Sequence, residues 1–463
     1  MMDTIYVKPK GVTYRYGTAG FRMNAQDMLP VSFRTGLLAA RLADRAKAAV
    51  GVMITASHNP IQDNGIKLVP PGGDLPPEKW EAEAETLANQ ESVDLSPCID
   101  VVVLVARDTR PSGVGLVEAI KAAGRMVNCT VIDLGLCTTP QFHYQVMQYN
   151  RKGDLSYEDW LSGAVEKPFD IELVLDCANG VGWNTASRFI QRLIPRITFI
   201  NCDNVDRLNE KCGADYIKTN KRFDCKGSAL HASLDGDADR IVFYYQGNDR
   251  FNLLDGDKIA ALLALYFSRH NNVRLGVVQT AYANGASTEY IKSLNVPVLC
   301  TATGVKHLHR MAHHHFDIGI YFEANGHGTV LFSDAGKTLF PTEYQMTNQC
   351  VGDALSDLLL VLHVLREMGM SKEQWQGLYE DRPNCLAKTK APRYLFETTD
   401  AERRLTKPKE LQEYIDQIVG SEERAFVRPS GTEDVVRVYA EAKTQERANQ
   451  IATLIINQIN HLI

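Results

Sequence analysis

Two short strings carry groups that could make and break bonds. In Thr55-Ala56-Ser57-His58-Asn59-Pro60 a serine closes an apolar run among small and turn-forming residues, a setting expected to project its hydroxyl into solvent. Asp63-Asn64-Gly65 turns the chain again, and Lys67 re-enters the region. A serine hydroxyl is a poor nucleophile, so group transfer through Ser57 requires cations at the transferred oxygens and a nearby acid or base. His58 and Lys67 are both candidates for that base. In Asp235-Gly236-Asp237-Ala238-Asp239-Arg240 three carboxylates alternate with the smallest residues, so the backbone can curl and bring three hard oxygens onto one ion. All-carboxylate ligation suits one Mg²⁺, with a phosphate oxygen completing its shell, and Arg240 adds a bidentate phosphate donor beside it. The distal Glu of a calcium EF-hand is missing.

Two further strings could bind without reacting. Glu323-Ala324-Asn325-Gly326-His327-Gly328 offers acceptors and donors to a pair of adjacent hydroxyls, with glycines that permit close backbone approach. Arg428-Pro429-Ser430-Gly431-Thr432-Glu433, followed by Arg437, reads as an anion cradle: two hydroxyls, backbone N–H groups near Gly431 and guanidinium groups can ring a phosphate. Each string alone also suits an ordinary polar turn. The histidines His307, His309 and His313 to His315 share helical spacing with Leu308, Met311 and Phe316, which favours a partly buried helix over a metal cluster.

The elements that must hold these strings are legible as a repeat. Apolar strands with polar turns occur at 101–113, 173–182 and 275–285, each followed after about one helix by a second strand, at 131–136, 197–202 and 296–301. A third strand running into a loop follows in the second and third sets, at 234–245 and 318–332. In the first set the matching segment, 52–60, comes before the other two. The pattern predicts three related α/β domains with mixed or parallel sheets, the first circularly rearranged, and then a smaller α+β domain, arranged around a central active-site cleft. The expected boundaries are 1–163, 164–271, 272–380 and 381–463, with a linker over 381–392 and a core helix over about 445–459. The 463 residues, 44% apolar and 23% charged, with a net charge of −6, fit several cores and contain no basic block. Neither nucleic acid nor an anionic membrane is an expected partner. Ten scattered cysteines without a C-x-x-C pair, and no apolar run longer than 259–267, point to a cytoplasmic protein with reduced thiols.

The serine string followed by D-N-G-x-K resembles the phosphoserine loop of the α-D-phosphohexomutase superfamily, and D-G-D-A-D-R resembles its metal loop. E-A-N-G-H-G, with the serine loop preceding Ala106-Arg107-Asp108-Thr109-Arg110, resembles the phosphoacetylglucosamine mutase branch; glucose- and mannose-type relatives resemble G-E-E-S or G-E-M-S-G at the former place. The likeness covers Tyr16 to about Ala442. It implies a phosphorylated Ser57 that also ligands the metal with Asp235, Asp237 and Asp239, and a sugar 1,6-bisphosphate serving as intermediate and priming activator. It implies transfer between the 6- and 1-oxygens of N-acetylglucosamine phosphate, toward UDP-N-acetylglucosamine. Arg22 would reach the phosphoserine; Glu323, Asn325, Gly326 and His327 would read the sugar. Thr303, Gly304 and Lys306 would contact substrate, and Arg428, Ser430, Gly431, Thr432 and Arg437 would hold its distal phosphate. Arg107 either supports the serine or caps a helix. A glucose- or mannose-phosphate mutase and an inactive binding module are the alternatives, and oligomeric state stays open.

Overall fold

The computed structural model describes residues 6–17, 20–223, 229–247, 250–270, 273–430 and 434–462. It resolves into two compact units. One comprises 1–255, 325–329 and 339–366; the other comprises 256–324, 330–338 and 367–463.

The first unit holds two mixed sheets. In the six-stranded sheet, Val50–Ile54, Val102–Arg107 and Thr130–Leu136 run parallel, with Val102–Arg107 in the middle. Val50–Ile54 then turns back into the antiparallel strand Asp63–Val69. In the five-stranded sheet, Leu173–Asp176 lies between its parallel neighbours Ile197–Ile200 and Leu230–Leu234, and Leu230–Leu234 turns back into Ile241–Gln246. The second unit repeats the scheme: Leu275–Thr280 lies between Val298–Thr301 and Ile318–Phe322, and Ile318–Phe322 is followed in the sheet by Gly328–Phe332. Each trio thus has the first strand of its repeat in the middle, and in the first sheet the third strand comes earliest in the chain. That is the circular rearrangement expected from the sequence.

The strands that precede the three loops are buried along their whole length: Val50–Ile54, Leu230–Leu234 and Ile318–Phe322. Coverage on both faces explains why they read as continuous apolar runs rather than alternating ones. The loops of interest are therefore equivalent corners of three equivalent hairpins.

The C-terminal part of the second unit is a three-stranded antiparallel sheet, Asn384–Lys390, Val435–Glu441 and Arg424–Pro429, covered by the helix Gln445–Leu462. Here the expected linker is corrected. Residues 384–390 pair over seven positions with 435–441. Leu386, Lys388 and Lys390 face outward while Cys385, Ala387 and Thr389 turn partly inward. Lysines on an exposed edge strand obscured a period-two pattern, and they also blunt that edge against pairing with other chains. The helix runs to Leu462 and buries Ala448, Ile451, Ala452, Ile455 and Ile459, the core role expected of it. The described cysteines are free, and no helix among the described residues is long and apolar enough to cross a membrane.

One buried group in the first unit works against the fold. Asp357, on the helix Ala354–Met368, is 1% exposed, and neither carboxylate oxygen has a hydrogen-bond partner. Burial, and then the neighbouring Asp353, push its pKa well up. Its folded pKa lies above the unfolded value, so its penalty is absent below about pH 4 and grows as pH rises toward the folded pKa. Asp357→Asn, similar in volume and free of the charge, is expected to raise the melting temperature by several degrees at pH 8 and hardly at all at pH 4. Thermal melts at the two pH values check this.

Candidate active site

The serine corner follows from the strand it ends. Ser57 has φ of +51°, a left-handed conformation that tilts its side chain off the strand direction. Its backbone N–H donates to Thr55 Oγ1 at 2.9 Å, and Thr55 in turn donates to the buried Asp108 at 2.7 Å. Arg110 bonds Asp108, and its guanidinium reaches the carbonyls of Ser57 and Asn59 at 3.1 and 2.6 Å. Asn209 donates to the Ser57 carbonyl from the other sheet, at 3.0 Å. The hydroxyl is not projected into solvent: Ser57 is 2% exposed, and its Oγ donates to Asp235 Oδ2 at 2.7 Å. The turn faces the second sheet of the same unit, which a local reading of the string could not reveal.

The metal loop is the matching corner of that sheet. Ala238 has φ of +57°, and Asp235 Oδ1 accepts from the backbone of Asp239 and Arg240 at 3.1 and 3.2 Å, closing the curl. The loop is held from several sides. Thr139 donates its N–H to the Asp237 carbonyl and its hydroxyl to Asp237 Oδ2, at 3.0 and 2.7 Å. Val181 N–H donates to the Gly236 carbonyl at 3.0 Å, and Ala354 N–H to the Ala238 carbonyl at 3.2 Å. The Ala178-Asn179-Gly180-Val181 turn, which superficially resembles a nucleotide loop, serves here as packing: a Cβ on Gly180 would lie 2.4 Å from the Gly236 carbonyl oxygen.

Ligand atoms of Asp235, Asp237 and Asp239 lie within 4.8 Å of one another, all buried. Asp237 Oδ1 and Asp239 Oδ1 are buried and, among the described residues, without a hydrogen-bond donor. Oxygens left bare among three carboxylates fit a hard divalent cation, Mg²⁺ by ligand type. Lys67 Nζ lies 3.3 Å from Asp237 Oδ2 and 3.7 Å from Asp239 Oδ2, offsetting part of the charge. Burial and then the other two aspartates push the Asp235 carboxyl well up. For Asp237 burial also acts upward, but Lys67 and the Thr139 hydroxyl outweigh it and hold the group low.

Arg240, Arg22 and His58 lie around these two corners. Arg240 Nη1 donates to Asp215 Oδ2 at 2.7 Å, with Nε 3.8 Å from Asp235 and 3.7 Å from Asp239. Arg22 Nη1 donates to Asn59 Oδ1 at 3.0 Å. Its pKa is lowered, first by burial and then by Arg240. His58 Nδ1 is 3.4 Å from Ser57 Oγ and 3.6 Å from Asp215. Burial, then Arg240, lower its pKa to about 4. Arg107 only contacts the carbonyl of its neighbour Asp108; Arg110, three residues on, makes the supporting contacts.

The chain passes from one compact unit to the other inside the third corner, between Ala324 and Asn325. In the first unit, the Gly326 carbonyl accepts from Ile241 N–H at 3.2 Å, and His327 Nδ1 is 3.7 Å from Asp239 Oδ1. Asn325 Oδ1 accepts from His327 N–H at 3.0 Å. Gly326 has φ of +87°, and a Cβ there would sit 1.9 Å from the Ile241 carbonyl oxygen. This glycine is required by the backbone beneath it, so it is not evidence of space left for a ligand. In the second unit, Glu323 Oε1 accepts from Gly304 N–H at 3.3 Å, and Lys306 lies in the first turn of the helix Val305–His315. That helix carries the histidines and buries Leu308 and Ala312, as its spacing predicts. Arg428 and Arg437 are directly opposed on neighbouring antiparallel strands, and Ser430 is buried at the strand end. Gly431 and Thr432 lie outside the described residues.

Comparison with known proteins fits this geometry. Residues 255–345 match the family model described as phosphoacetylglucosamine mutase AMG1, domain III. Residues 31–94 and 387–458 match the alpha/beta/alpha domain I and C-terminal domain models of phosphoglucomutase/phosphomannomutase. The phosphoacetylglucosamine mutase of Mus musculus is 41% identical over 517 residues, covering 97% of this chain and 94% of that protein. The chain belongs to the phosphoacetylglucosamine mutases. A crystal structure of an N-acetylglucosamine-phosphate mutase in its substrate complex matches with a TM-score of 0.92 at 40% identity, covering 97% of both chains. The Aspergillus fumigatus enzyme, solved with GlcNAc-6P and magnesium, matches with a TM-score of 0.90 at 39% identity, covering 97% of this chain and 96% of that one. The alignment to the mouse mutase runs over more positions than this chain's 463 residues, in keeping with a chain shortened in places relative to animal members.

Sequence reasoning missed Thr139, Asn209, Asp215 and the Asp108–Arg110 pair. Asp108 and Arg110 were visible in the R-D-T-R string; the others carry no local signal. An uncompensated carboxylate cluster costs the metal-free protein stability. Asp239→Asn, which removes one of the charges, is therefore expected to melt a few degrees higher than the parent without metal. The variant should also lose most of the rise in melting temperature that Mg²⁺ gives the parent. Melting curves with chelator and with Mg²⁺ read both effects.

Proposed function

We propose that the chain interconverts N-acetylglucosamine 6-phosphate and N-acetylglucosamine 1-phosphate through a phosphorylated Ser57. The observation that carries this is the bond from Ser57 Oγ to Asp235 inside a buried three-aspartate corner, in a chain about 40% identical to known mutases over nearly its whole length. In the first step the bond from Ser57 Oγ to phosphorus breaks and one from the free sugar hydroxyl to phosphorus forms. The hydroxyl proton passes to a base, and Ser57 is left to recover a proton. The product is a sugar 1,6-bisphosphate. The second step reverses these events with the other phosphate, and free bisphosphate can prime unmodified enzyme. Asp235, Asp237 and Asp239, with Ser57 or its phosphate, would hold Mg²⁺, which when bound supplies neutralisation of charge on the transferring group.

Arg22 and Arg240 are placed to bind the phosphoryl oxygens. Lys67 Nζ faces two aspartates, whereas His58 lies 3.4 Å from the serine hydroxyl and takes the role of proton carrier in this reading. Glu323 and Asn325 bind the sugar 3- and 4-hydroxyls, with Thr303, Gly304, Lys306 and His327 as further substrate contacts. Arg428, Ser430, Gly431, Thr432 and Arg437 hold the phosphate that is not being transferred. The reading assigns the four sequence segments 1–163, 164–271, 272–380 and 381–463 to the serine, metal, sugar and phosphate loops in turn. It places the enzyme in the cytoplasm on the route to UDP-N-acetylglucosamine, with sugar phosphates as its partners and neither nucleic acid nor membrane among them.

Phosphopeptide mapping after incubation with glucose 1,6-bisphosphate is expected to find phosphate on Ser57. Ser57→Ala should abolish turnover and, by removing the donor to buried Asp235, lower the melting temperature by no more than a few degrees while the chain still folds; modification confined to other residues would refute the nucleophile. Selectivity is the second test. Small Ala324 leaves room for an acetamido group without excluding a hydroxyl, and one such pocket contact gives about ten- to two-hundred-fold. N-acetylglucosamine 6-phosphate should exceed glucose 6-phosphate by that factor in kcat/KM, and equal values would move the chain to the glucose- or mannose-phosphate reading.

A further inference from the structure

Within the second unit, the groups assigned to substrate are already engaged by a carboxylate that no part of the mechanism requires. Glu402 Oε2 accepts from Thr303 N–H at 2.9 Å and from Thr303 Oγ1 at 2.5 Å, and Arg428 Nη1 approaches it at 3.5 Å. Thr303, on a loop, and Arg428, on the strand Arg424–Pro429, are 125 positions apart in the chain, and a single oxygen from a third segment joins them. The side chains of Glu402 and Arg428 are 20% and 12% exposed, so the contact is largely shielded from water.

Two observations set Glu402 apart from a surface ion pair. It sits in the turn between the paired strands Glu397–Thr399 and Arg404–Lys407, where Asp400, Ala401 and Glu402 have φ of +51°, +55° and +68°. Three successive non-glycine residues in the left-handed region are unfavourable, and such strain persists where surrounding structure enforces it. The other is the buried hydroxyl of Tyr282, which has no hydrogen-bond partner among the described residues. Its ring lies 5.9 Å from the Arg428 guanidinium carbon, and the charges of Arg428, Arg437, Glu402 and Glu323 all act on it. The turn therefore delivers an anion onto the cation Arg428 and the donors of Thr303, close to the Tyr282 ring.

We propose that Glu402 is a built-in competitor of the substrate: its carboxylate occupies Thr303 and Arg428 until a sugar phosphate displaces it, and so sets substrate affinity. This rests on the reading of the Arg428 loop as the phosphate cradle. A carboxylate and a phosphate both accept from N–H and O–H donors and both pair with guanidinium, so each can take the other's place. Binding a phosphate here exchanges one set of charged hydrogen bonds for another, and the net affinity is lower than for an empty cradle. The same exchange runs in reverse as product leaves: the returning carboxylate recaptures the donors and removes the cost of leaving them bare.

The test is calorimetric titration of N-acetylglucosamine 6-phosphate into the full chain, alongside steady-state kinetics, for the parent, Glu402→Gln, Glu402→Gly and Arg428→Ala. Glycine tolerates the left-handed turn, so Glu402→Gly removes the carboxylate without requiring a strained backbone and covers the case in which Glu402→Gln folds poorly. Both Glu402 variants are expected to bind the sugar phosphate about tenfold more tightly and to lower KM correspondingly without raising kcat. Arg428→Ala should weaken binding at least about tenfold. If Arg428→Ala weakens binding while the Glu402 variants leave it unchanged, the competitor is refuted and the cradle stands. If the Glu402 variants weaken binding, Glu402 is a substrate ligand and the proposal fails. If Arg428→Ala has no effect, the cradle reading falls and takes the competitor with it.

Discussion

Three carboxylates held within a few ångströms of one another, away from water, form the constraint on which the first unit depends. Neighbouring anions in a low-dielectric setting repel strongly, and such a cluster persists only if cations and donors are built around it. Lys67, Arg240 and Arg22 supply the cations, and Thr139 and the backbone amides of Asp239 and Arg240 supply the donors. The same concentration of negative charge turns the serine hydroxyl into a hydrogen-bond donor directed at Asp235. A phosphate on that oxygen would add to the anionic load, so the corner favours states in which a divalent cation is shared. Catalytic capacity and metal-free instability have one origin here.

Holding the two corners together falls to residues with no chemistry of their own. Asn209 and Arg110 clamp the Ser57 carbonyl, and Thr139 fixes both the backbone and the side chain of Asp237. The Asn209 and Thr139 contacts join the regions of the two sheets of the first unit at the nucleophile, and Arg110 braces the serine turn from its own sheet. Because Asn209 and Thr139 are neutral and Arg110 is ion-paired with Asp108, they constrain position without adding to the charge that the metal site must balance.

Legibility in the sequence followed distance along the chain. Ser57, the three aspartates and Arg240 were readable because each functional set is contiguous and its spacing expresses a geometry. The three-sheet repeat was readable because buried strands leave unbroken apolar runs. Asn209 lies 152 positions from Ser57, and Thr139 lies 98 from Asp237; nothing local marks either. The orientation of Ser57 was misjudged for the same reason, since the sheet that covers it is encoded more than a hundred residues later. Gly326 illustrates a different limit: its smallness was visible, but the Ile241 carbonyl that demands it was not. The strand at 384–390 was obscured by lysines on its exposed edge.

The rearranged first repeat has a consequence for how the chain acquires its shape during synthesis. In the second and third repeats the central strand, Leu173–Asp176 or Leu275–Thr280, leaves the ribosome before either parallel partner. The hairpin that ends each trio is therefore made last, onto a platform already begun. In the first repeat the hairpin of Val50–Ile54 and Asp63–Val69 emerges about fifty residues before Val102–Arg107. Its antiparallel pairing closes over a short loop and forms early, whereas parallel pairing must await a long crossover. The nascent nucleophile corner thus joins Gly20–Asn24, which emerges earlier still and pairs with Asp63–Val69, while the far edge of Val50–Ile54 waits for Val102–Arg107. That leaves this corner, rather than the metal or sugar corner, with an unpaired apolar strand edge until the sheet is complete.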